Sequence, residues 1–278
     1  ARAEVILSGG AINSPQLLQL SGIGPGKLLQ SHNINIVHVS HHVGKNLQDH
    51  LGSDIYYHAN VPTLNQELNP MFGKLRAGLK YILTRKGPLS LSLNQGGGFI
   101  QIDPNASGPD LQLYFSPVSY TRAPAGVRPL MNPDPFPGFL MGFNPCKPTS
   151  VGNIQISSTD PMLPPKIYSN YLNTDYDKKM MIEGIRLIRR IANAPALNSI
   201  IKDELAPGDG IKSETDIAKY IRQKAWSVFH PCSTCRMGSN PNVSVVDPKL
   251  RVHGVDNLRV VDASIFPTIP TGNINAPS

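Results

Sequence analysis

The sequence predicts a fold of two kinds, α/β and α+β: part of a Rossmann-like nucleotide-binding domain, plus an antiparallel-sheet domain with helices on one face. Three observations carry that prediction. The chain opens on an apolar run at 5–8, a Gly9-Gly10-Ala11 turn and a helical pattern, the order of half a βαβ unit. Its middle holds short β-like runs between proline-rich turns, with no strand–helix alternation, which favours antiparallel sheet. Proline and glycine supply 50 of 278 residues, against about 12% on average. That density excludes a helical bundle or coiled coil.

The elements follow in order. The apolar run at 5–8 reads as a buried strand, and Ser14 as a helix N-cap with Pro15 at the first helical position. Short helical residues at 27–31 and a strand at 34–39 come next. A strand at 54–59, an amphipathic helix at 74–84 and β-like runs at 96–101, 111–115, 139–144 and 153–157 fill the middle. The loop at 122–137 carries prolines 124, 129, 133, 135 and 137 and reads as a lid, a binding loop or a surface insertion. Helix 175–192 sets Met181, Ile185, Ile188 and Ile191 along one face as core. Ser213 caps a further helix to about Trp226, with Asp216 in the third position of a capping box. A strand at 258–261 precedes Asp262.

Composition narrows the function classes. Net charge is +7, from 26 Lys and Arg against 19 Asp and Glu. The densest basic groups, Lys178-Lys179 and Arg186, Arg189, Arg190, share one helix, and a solvated face accounts for them without nucleic acid. Three cysteines are too few for a disulfide framework. The Cys232/Cys235 pair lacks the second pair of ligands a structural zinc site needs. Adjacent His41 and His42 point to opposite faces of an extended segment, so with His38 and His50 they make a poor metal set, and no metal is assigned. The sequons at Asn105 and Asn242 carry meaning only in a secreted protein. No apolar run approaches the ~20 residues of a membrane-spanning helix, which favours a cytoplasmic or membrane-peripheral location.

Three constellations remain. Pro231 holds His230 extended, fixing the ring's direction ahead of the compact Ser233-Thr234-Cys235-Arg236-Met237-Gly238 turn. Asp262-Ala263-Ser264 follows a strand, where a carboxylate serves either a cofactor or a helix terminus. Thr271-Gly272-Asn273-Ile274-Asn275-Ala276-Pro277 is a small-residue turn with two non-titrating amides. Singly, each reads more readily as a structural residue, a cap or an ordinary turn than as a site.

Their order is specific. The run Gly10-Ala11-Ile12-Asn13-Ser14-Pro15-Gln16-Leu17-Leu18-Gln19-Leu20-Ser21-Gly22-Ile23-Gly24 resembles the second signature of the glucose–methanol–choline (GMC) flavin oxidoreductases. Val43 to His50, His230 to Gly238, Val261 to Ser264 and Gly272 to Pro277 resemble later family segments, in family order. The resemblance implies a Rossmann-like FAD-binding domain from residues 1–50 and 228–278, incomplete, and a substrate domain from 51–227. It implies oxidation of an alcohol to an aldehyde or ketone by FAD, with hydride passing to flavin N5. His230 takes the place of the proton acceptor and Asn273 that of the second active-site residue. Gly9, Gly10, Ala11, Asp262, Ala263 and Asn275 lie in FAD-contacting segments, and Asn94 and Gln95 in a substrate segment. Cys235 stands where the family often has cysteine, so the pairing with Cys232 reads as coincidence. The electrons pass to oxygen, a quinone or another acceptor.

Two departures qualify this. The family's Gly-x-Gly-x-x-Gly and its closing helix are absent, which implies the C-terminal half or more of an enzyme that does not hold FAD tightly alone. Choline-type members often carry Glu where this chain has Gln95, which implies a neutral alcohol rather than choline. A lyase of the same fold and a non-catalytic interaction domain stay open as alternatives.

Overall fold

The computed structural model describes residues 3–121 and 132–278. In chain order the elements are β1 (Val5–Leu7), α1 (Gly10–Leu20), β2 (Ile23–Gly24), α2 (Gly26–Ser31), β3 (His38–Val39), β4 (Lys45–Leu47) and β5 (Leu51–Ala59). Next come α3 (Leu64–Leu68), α4 (Met71–Thr84), β6 (Gly96–Ile100), β7 (Leu111–Ser116), β8 (Gly138–Pro145), β9 (Gly152–Gln155) and β10 (Lys166–Tyr168). The chain continues through α5 (Asp175–Ala192), α6 (Pro195–Asn198), β11 (Ile201–Ala206), α7 (Glu214–Lys224), β12 (Trp226–Ser227) and β13 (Leu258–Val260). Two compact units divide them: the first holds the chain up to Leu51, Cys146–Asp177 and Ser227–Ser278, the second Gly52–Pro145 and Lys178–Trp226. The stretch 146–177, expected with residues 51–227, thus makes its contacts within the first unit.

In the first unit, β1 pairs in parallel with β13, Ile6 opposite Arg259, so residues some 250 apart share one ladder. Val5 and Ile6 are 45% and 53% exposed rather than buried, because among the described residues β1 has a neighbour on one edge only. The core gathers Leu18, Ile23, Val43, Val245, Val252 and Val260. A small antiparallel sheet in the order β10-β9-β4 draws 146–177 into this unit. Gln19, fully buried, completes the join: its Nε2 donates to Val43 O and Ile154 O, and its Oε1 accepts from Ile156 N. A buried amide is stable only when both ends are matched in this way.

Helix α1 corrects the expected cap. It begins at Gly10, not after Ser14, and Pro15 lies inside it. A proline within a helix removes the N–H that would reach the carbonyl four residues back. That carbonyl belongs to Ala11, and it accepts instead from the Thr234 hydroxyl at 2.6 Å. Ser14, freed from capping, donates to Asp262 Oδ2 at 2.5 Å.

In the second unit an antiparallel sheet runs β11-β5-β8-β7-β6. Every residue of β8 is buried, as expected of a central strand. Helix α5 matches its predicted bounds, with Met181, Ile185 and Ile188 buried and Ile191 at the margin. It packs on β8 where a Cβ at Gly184 would stand 2.1 Å from Phe143, so only glycine permits that approach. Arg189 departs from a purely solvated face: it grips Glu204 through two nitrogens at 2.7 and 2.9 Å. Ser213 caps α7 by accepting from Asp216 N at 3.1 Å, and its hydroxyl donates to the Asp216 carboxylate at 2.6 Å. Helix α3, unforeseen, carries its own capping box between Thr63 and Gln66. Of the loop at 122–137, residues 122–131 lie outside the described residues. Its remaining part is anchored by buried Asp134, which accepts from Ser119 Oγ and from Thr121 N and Oγ1.

Candidate active site

Two clusters of the first unit hold most of the residues singled out above. The first surrounds Asp262. Its Oδ2 accepts from the Gly10 N–H at 3.0 Å as well as from Ser14, and its Oδ1 caps the turn Ala263–Ile265 through Ser264 N at 2.8 Å. A carboxylate suits this place, because the N–H groups at the start of α1 lack helical acceptors and carry partial positive charge. Gly10 has φ +78°, and a Cβ there would meet no atom within 4 Å. Backbone with open space above it admits a flat ligand at close range. Ala263 O accepts from Ser233 N at 3.2 Å, and Ser264 O from Cys235 N at 2.8 Å. The turn after His230 therefore lies along the Asp262 turn.

The second cluster surrounds His230. Gln48 and Cys232 exchange backbone hydrogen bonds at 2.9 and 3.2 Å, bringing Val43–His50 alongside the His230 segment. Asp49, 8% exposed, is the organiser. Its Oδ1 accepts the His230 backbone N–H at 2.8 Å. Its Oδ2 accepts from Ser227 Oγ at 2.5 Å and from the Tyr171 hydroxyl. The His230 and His50 rings meet through their Nδ1 atoms at 3.0 Å, with planes 85° apart. His50 Nε2 lies 3.0 Å from Cys146 O. Burial pushes the pKa of both imidazoles down, and the Asp49 charge opposes this only in part. His230 is thus a neutral ring at neutral pH, able to accept a proton. Just before it, Phe229 is 81% exposed at φ +62°, a left-handed backbone held by Ser227 Oγ accepting its N–H at 2.9 Å. Such strain in a bulky residue tends to sit beside functional groups.

The other expected residues are placed differently. Asn273 and Asn275 are exposed in the terminal turn, which approaches this cluster through the Pro270 carbonyl bearing on the His50 ring. Asn94 and Gln95 belong to the second unit, exposed at the start of β6, where Gln95 N donates to Phe115 O at 2.9 Å. Cys232 and Cys235 are buried free thiols, with burial pushing the Cys232 thiol up to about 11 and Cys235 higher still. Such thiols are unreactive near neutral pH. Asp49 and His50 stood in a motif without an assigned role. The available signal was an acid beside a histidine ending a glycine-containing segment, and only tertiary contact attaches it to His230.

Comparison with known proteins places the chain among flavin-dependent and alcohol-oxidising relatives by sequence and fold. Two models described as GMC oxidoreductase match residues 1–52 and 148–278. An alcohol dehydrogenase [acceptor] of Pseudomonas putida is 41% identical over 99% of this chain and 49% of its own length. An oxygen-dependent choline dehydrogenase of Pseudomonas fluorescens is 39% identical over the whole chain and 48% of its own. The chain therefore spans about half the length of the curated relatives it matches. Formate oxidase of Aspergillus oryzae, solved to follow FAD modification, superposes with a TM-score of 0.89 at 28% identity, over 99% of this chain and 52% of that one. Pyridoxine 4-oxidase of Mesorbium loti gives 0.80 at 28% identity, over 99% and 48%.

Proposed function

This chain belongs to the GMC oxidoreductase family, and we propose that the protein it forms oxidises an alcohol to an aldehyde or ketone with FAD as cofactor. The observation that carries the reading is His230: buried, neutral, and held at both backbone and ring by the Asp49–His50 pair. A general base needs that combination of fixed direction and a pKa near or below working pH.

The residues present fit the cofactor. The open backbone at Gly10, beside Asp262 and the Ala263 turn, offers close approach to a flat group, and Gly9, Ala11 and Asn275 complete the proposed contact set. FAD, when bound, supplies the hydride acceptor. The chain's own residues do the rest. His230 takes the hydroxyl proton as the C–H bond opens, which keeps charge from building on the alkoxide. Asn273, non-titrating, orients the hydroxyl. Electrons leave to oxygen, a quinone or another acceptor. Replacing His230→Ala in the full-length protein is expected to lower kcat/KM for an alcohol by about 10²–10⁴-fold. An unchanged kcat/KM, or no flavin reduction on anaerobic mixing with alcohols, defeats the reading.

For substrate class we take Gln95 as the discriminator: an exposed amide at the entrance to β6 offers a cation nothing that it would not offer a neutral alcohol. A neutral alcohol should therefore surpass choline in kcat/KM. Equal values for choline and a neutral alcohol of similar size would refute this.

For location we favour the membrane-peripheral alternative. No helix among the described residues is long and apolar enough to cross a membrane. Helix α4 instead exposes Met71, Phe72, Leu75, Leu79, Ile82 and Leu83 by 58–79%. Lys74, Arg76, Lys80, Arg85 and Lys86 flank them with no acidic residue between Met71 and Lys86. That is the composition of a helix lying on anionic lipid. Co-sedimentation of the full-length protein with anionic vesicles, lost at high salt or on Phe72→Ser/Leu79→Ser, is the expected result. No binding to such vesicles rejects it.

A further inference from the structure

His50 is as buried as any residue in the protein, yet the reaction above does not use it. We propose that His50 is a positioning residue that fixes the tautomer of His230, leaving His230 Nε2 as the bare, proton-accepting nitrogen. The inference rests on the reading of His230 as the base, and deepens it.

The argument is one of proton counting along a short chain of atoms. Cys146 O, a backbone carbonyl, has lone pairs and no proton, and it lies 3.0 Å from His50 Nε2. The proton in that contact must therefore sit on His50 Nε2. A neutral imidazole carries one N–H. Burial, the largest influence on His50, keeps the ring neutral even though the Cys146 and Pro270 carbonyls favour its charged form. With its proton on Nε2, His50 presents a lone pair at Nδ1. His230 Nδ1 faces that lone pair at 3.0 Å. Two lone pairs would repel at this distance, so His230 must supply the proton from its own Nδ1. His230 is also neutral, and its single proton is then spent. Its Nε2 is left bare.

The chemistry balances. As the alcohol O–H bond breaks, its proton forms a new bond to His230 Nε2, and the ring becomes an imidazolium. The imidazolium's Nδ1–H still donates to His50, so the charge forms without any rearrangement of the contact. No second proton moves. Without His50, the His230 ring is free to adopt the Nε2–H form, in which the nitrogen needed for catalysis is already occupied. Asp49 cannot substitute, since its Oδ1 binds the His230 backbone N–H and its Oδ2 the hydroxyls of Ser227 and Tyr171.

The sequence position can also be filled by a side chain of fixed polarity. A glutamine amide spaces its donor and acceptor much as an imidazole spaces its two nitrogens. In His50→Gln, the amide N–H donates to Cys146 O and the amide oxygen accepts from His230 Nδ1–H. The tautomer is preserved without a titratable partner.

The experiment uses the full-length protein with ¹⁵N-labelled histidine and reads long-range ¹H–¹⁵N correlations of the two rings. The expected wild-type pattern is His230 protonated on Nδ1 and bare on Nε2, with His50 the reverse. In His50→Ala, His230 shifts toward Nε2–H, and kcat/KM at its pH-independent plateau falls about tenfold or more, by less than in His230→Ala. In His50→Gln, both the pattern and most of the activity return. The same variants report on kcat/KM against pH, where Asp49, Tyr171, Ser227 and Cys232 are the other groups around the pair and stay unchanged. A wild-type His230 carrying its proton on Nε2 overturns the proposal, as does a His50→Ala protein with unaltered tautomer and plateau. Should His50→Ala fail to fold, the wild-type and His50→Gln spectra still decide. A wild type that shows the expected tautomer but oxidises no alcohol would support the lock and reject the oxidase reading, so the two failures are distinct.

Discussion

Two buried carboxylates five residues apart are held by different sets of donors. Asp49, in the first unit, is 8% exposed, and Asp54, in the second, is 7% exposed. Asp49 receives three donors spread over both oxygens: a backbone N–H and two hydroxyls. Asp54 receives the Trp226 indole N–H at 3.0 Å and the Tyr56 hydroxyl at 3.4 Å, both on Oδ2. Burial there outweighs those two contacts and pushes the carboxyl up to about 7. Tyr56, Tyr120 and Tyr220 crowd the same site, and burial with the Asp54 charge raises each of them, Tyr220 to about 12. The lesson is that burial alone does not define a carboxylate's role. Donor number and geometry separate one that organises a site from one that is merely enclosed.

The larger test of that contrast is Asp49→Ala. It strips three donors of their acceptor at once, each worth about 1–3 kcal/mol when left unsatisfied inside a protein. Denaturant unfolding of the full-length protein should show a loss of about 3 kcal/mol or more, together with most of the alcohol-oxidising activity. A loss below about 1 kcal/mol would mean water replaces the carboxylate and Asp49 organises nothing.

At Asp54 the expected effect is confined to the pH dependence of stability. Its folded-state pKa, about 7, lies above the ordinary 3.8, so the folded chain holds a proton the unfolded chain has already released. The stability this provides is fully present below about pH 4 and is lost as pH rises through 7. At 1.36 kcal/mol per unit, the change is at most about 4 kcal/mol. Asp54→Asn, which keeps the shape and cannot ionise, should flatten that pH dependence and leave the variant relatively more stable at pH 8 than at pH 5. Parallel stability–pH curves for the two proteins would reject a proton held on Asp54 by burial.

Much of this was legible residue by residue. Helix α5 announced itself through apolar spacing at Met181, Ile185 and Ile188, because an amphipathic period is a local signal. His230-Pro231, Asp262 and the Gly9-Gly10 turn were candidates for the same reason: their chemistry is a property of neighbouring residues. The start of α1 differs from its local pattern. Ser14 and Pro15 look like a cap when the helix is considered alone, whereas the helix extends back to Gly10 once Asp262 receives that N–H and Thr234 relieves the Ala11 carbonyl. Gln19, Asp49 and His50 were recognisable as motif members but not as workers, since every partner that defines them lies more than a hundred residues away or in an unrelated loop.

By itself, then, the sequence determined the class of the chain: a glycine turn leading a helix, an antiparallel middle rich in proline, and an ordered set of short motifs whose residues suit FAD and an alcohol. The first two are statements about composition and near neighbours, which follow from local sterics and periodicity, whereas FAD and the alcohol are implied by the motifs' resemblance to the GMC family. Tertiary structure alone decided which nitrogen faces which, that Cys146 lends its carbonyl to His50, that His50 meets His230, and that Asp49 rather than Asp54 gathers the donors. A proton's position depends on distances of about 3 Å between groups far apart in the chain, and no spacing along a sequence encodes such a distance.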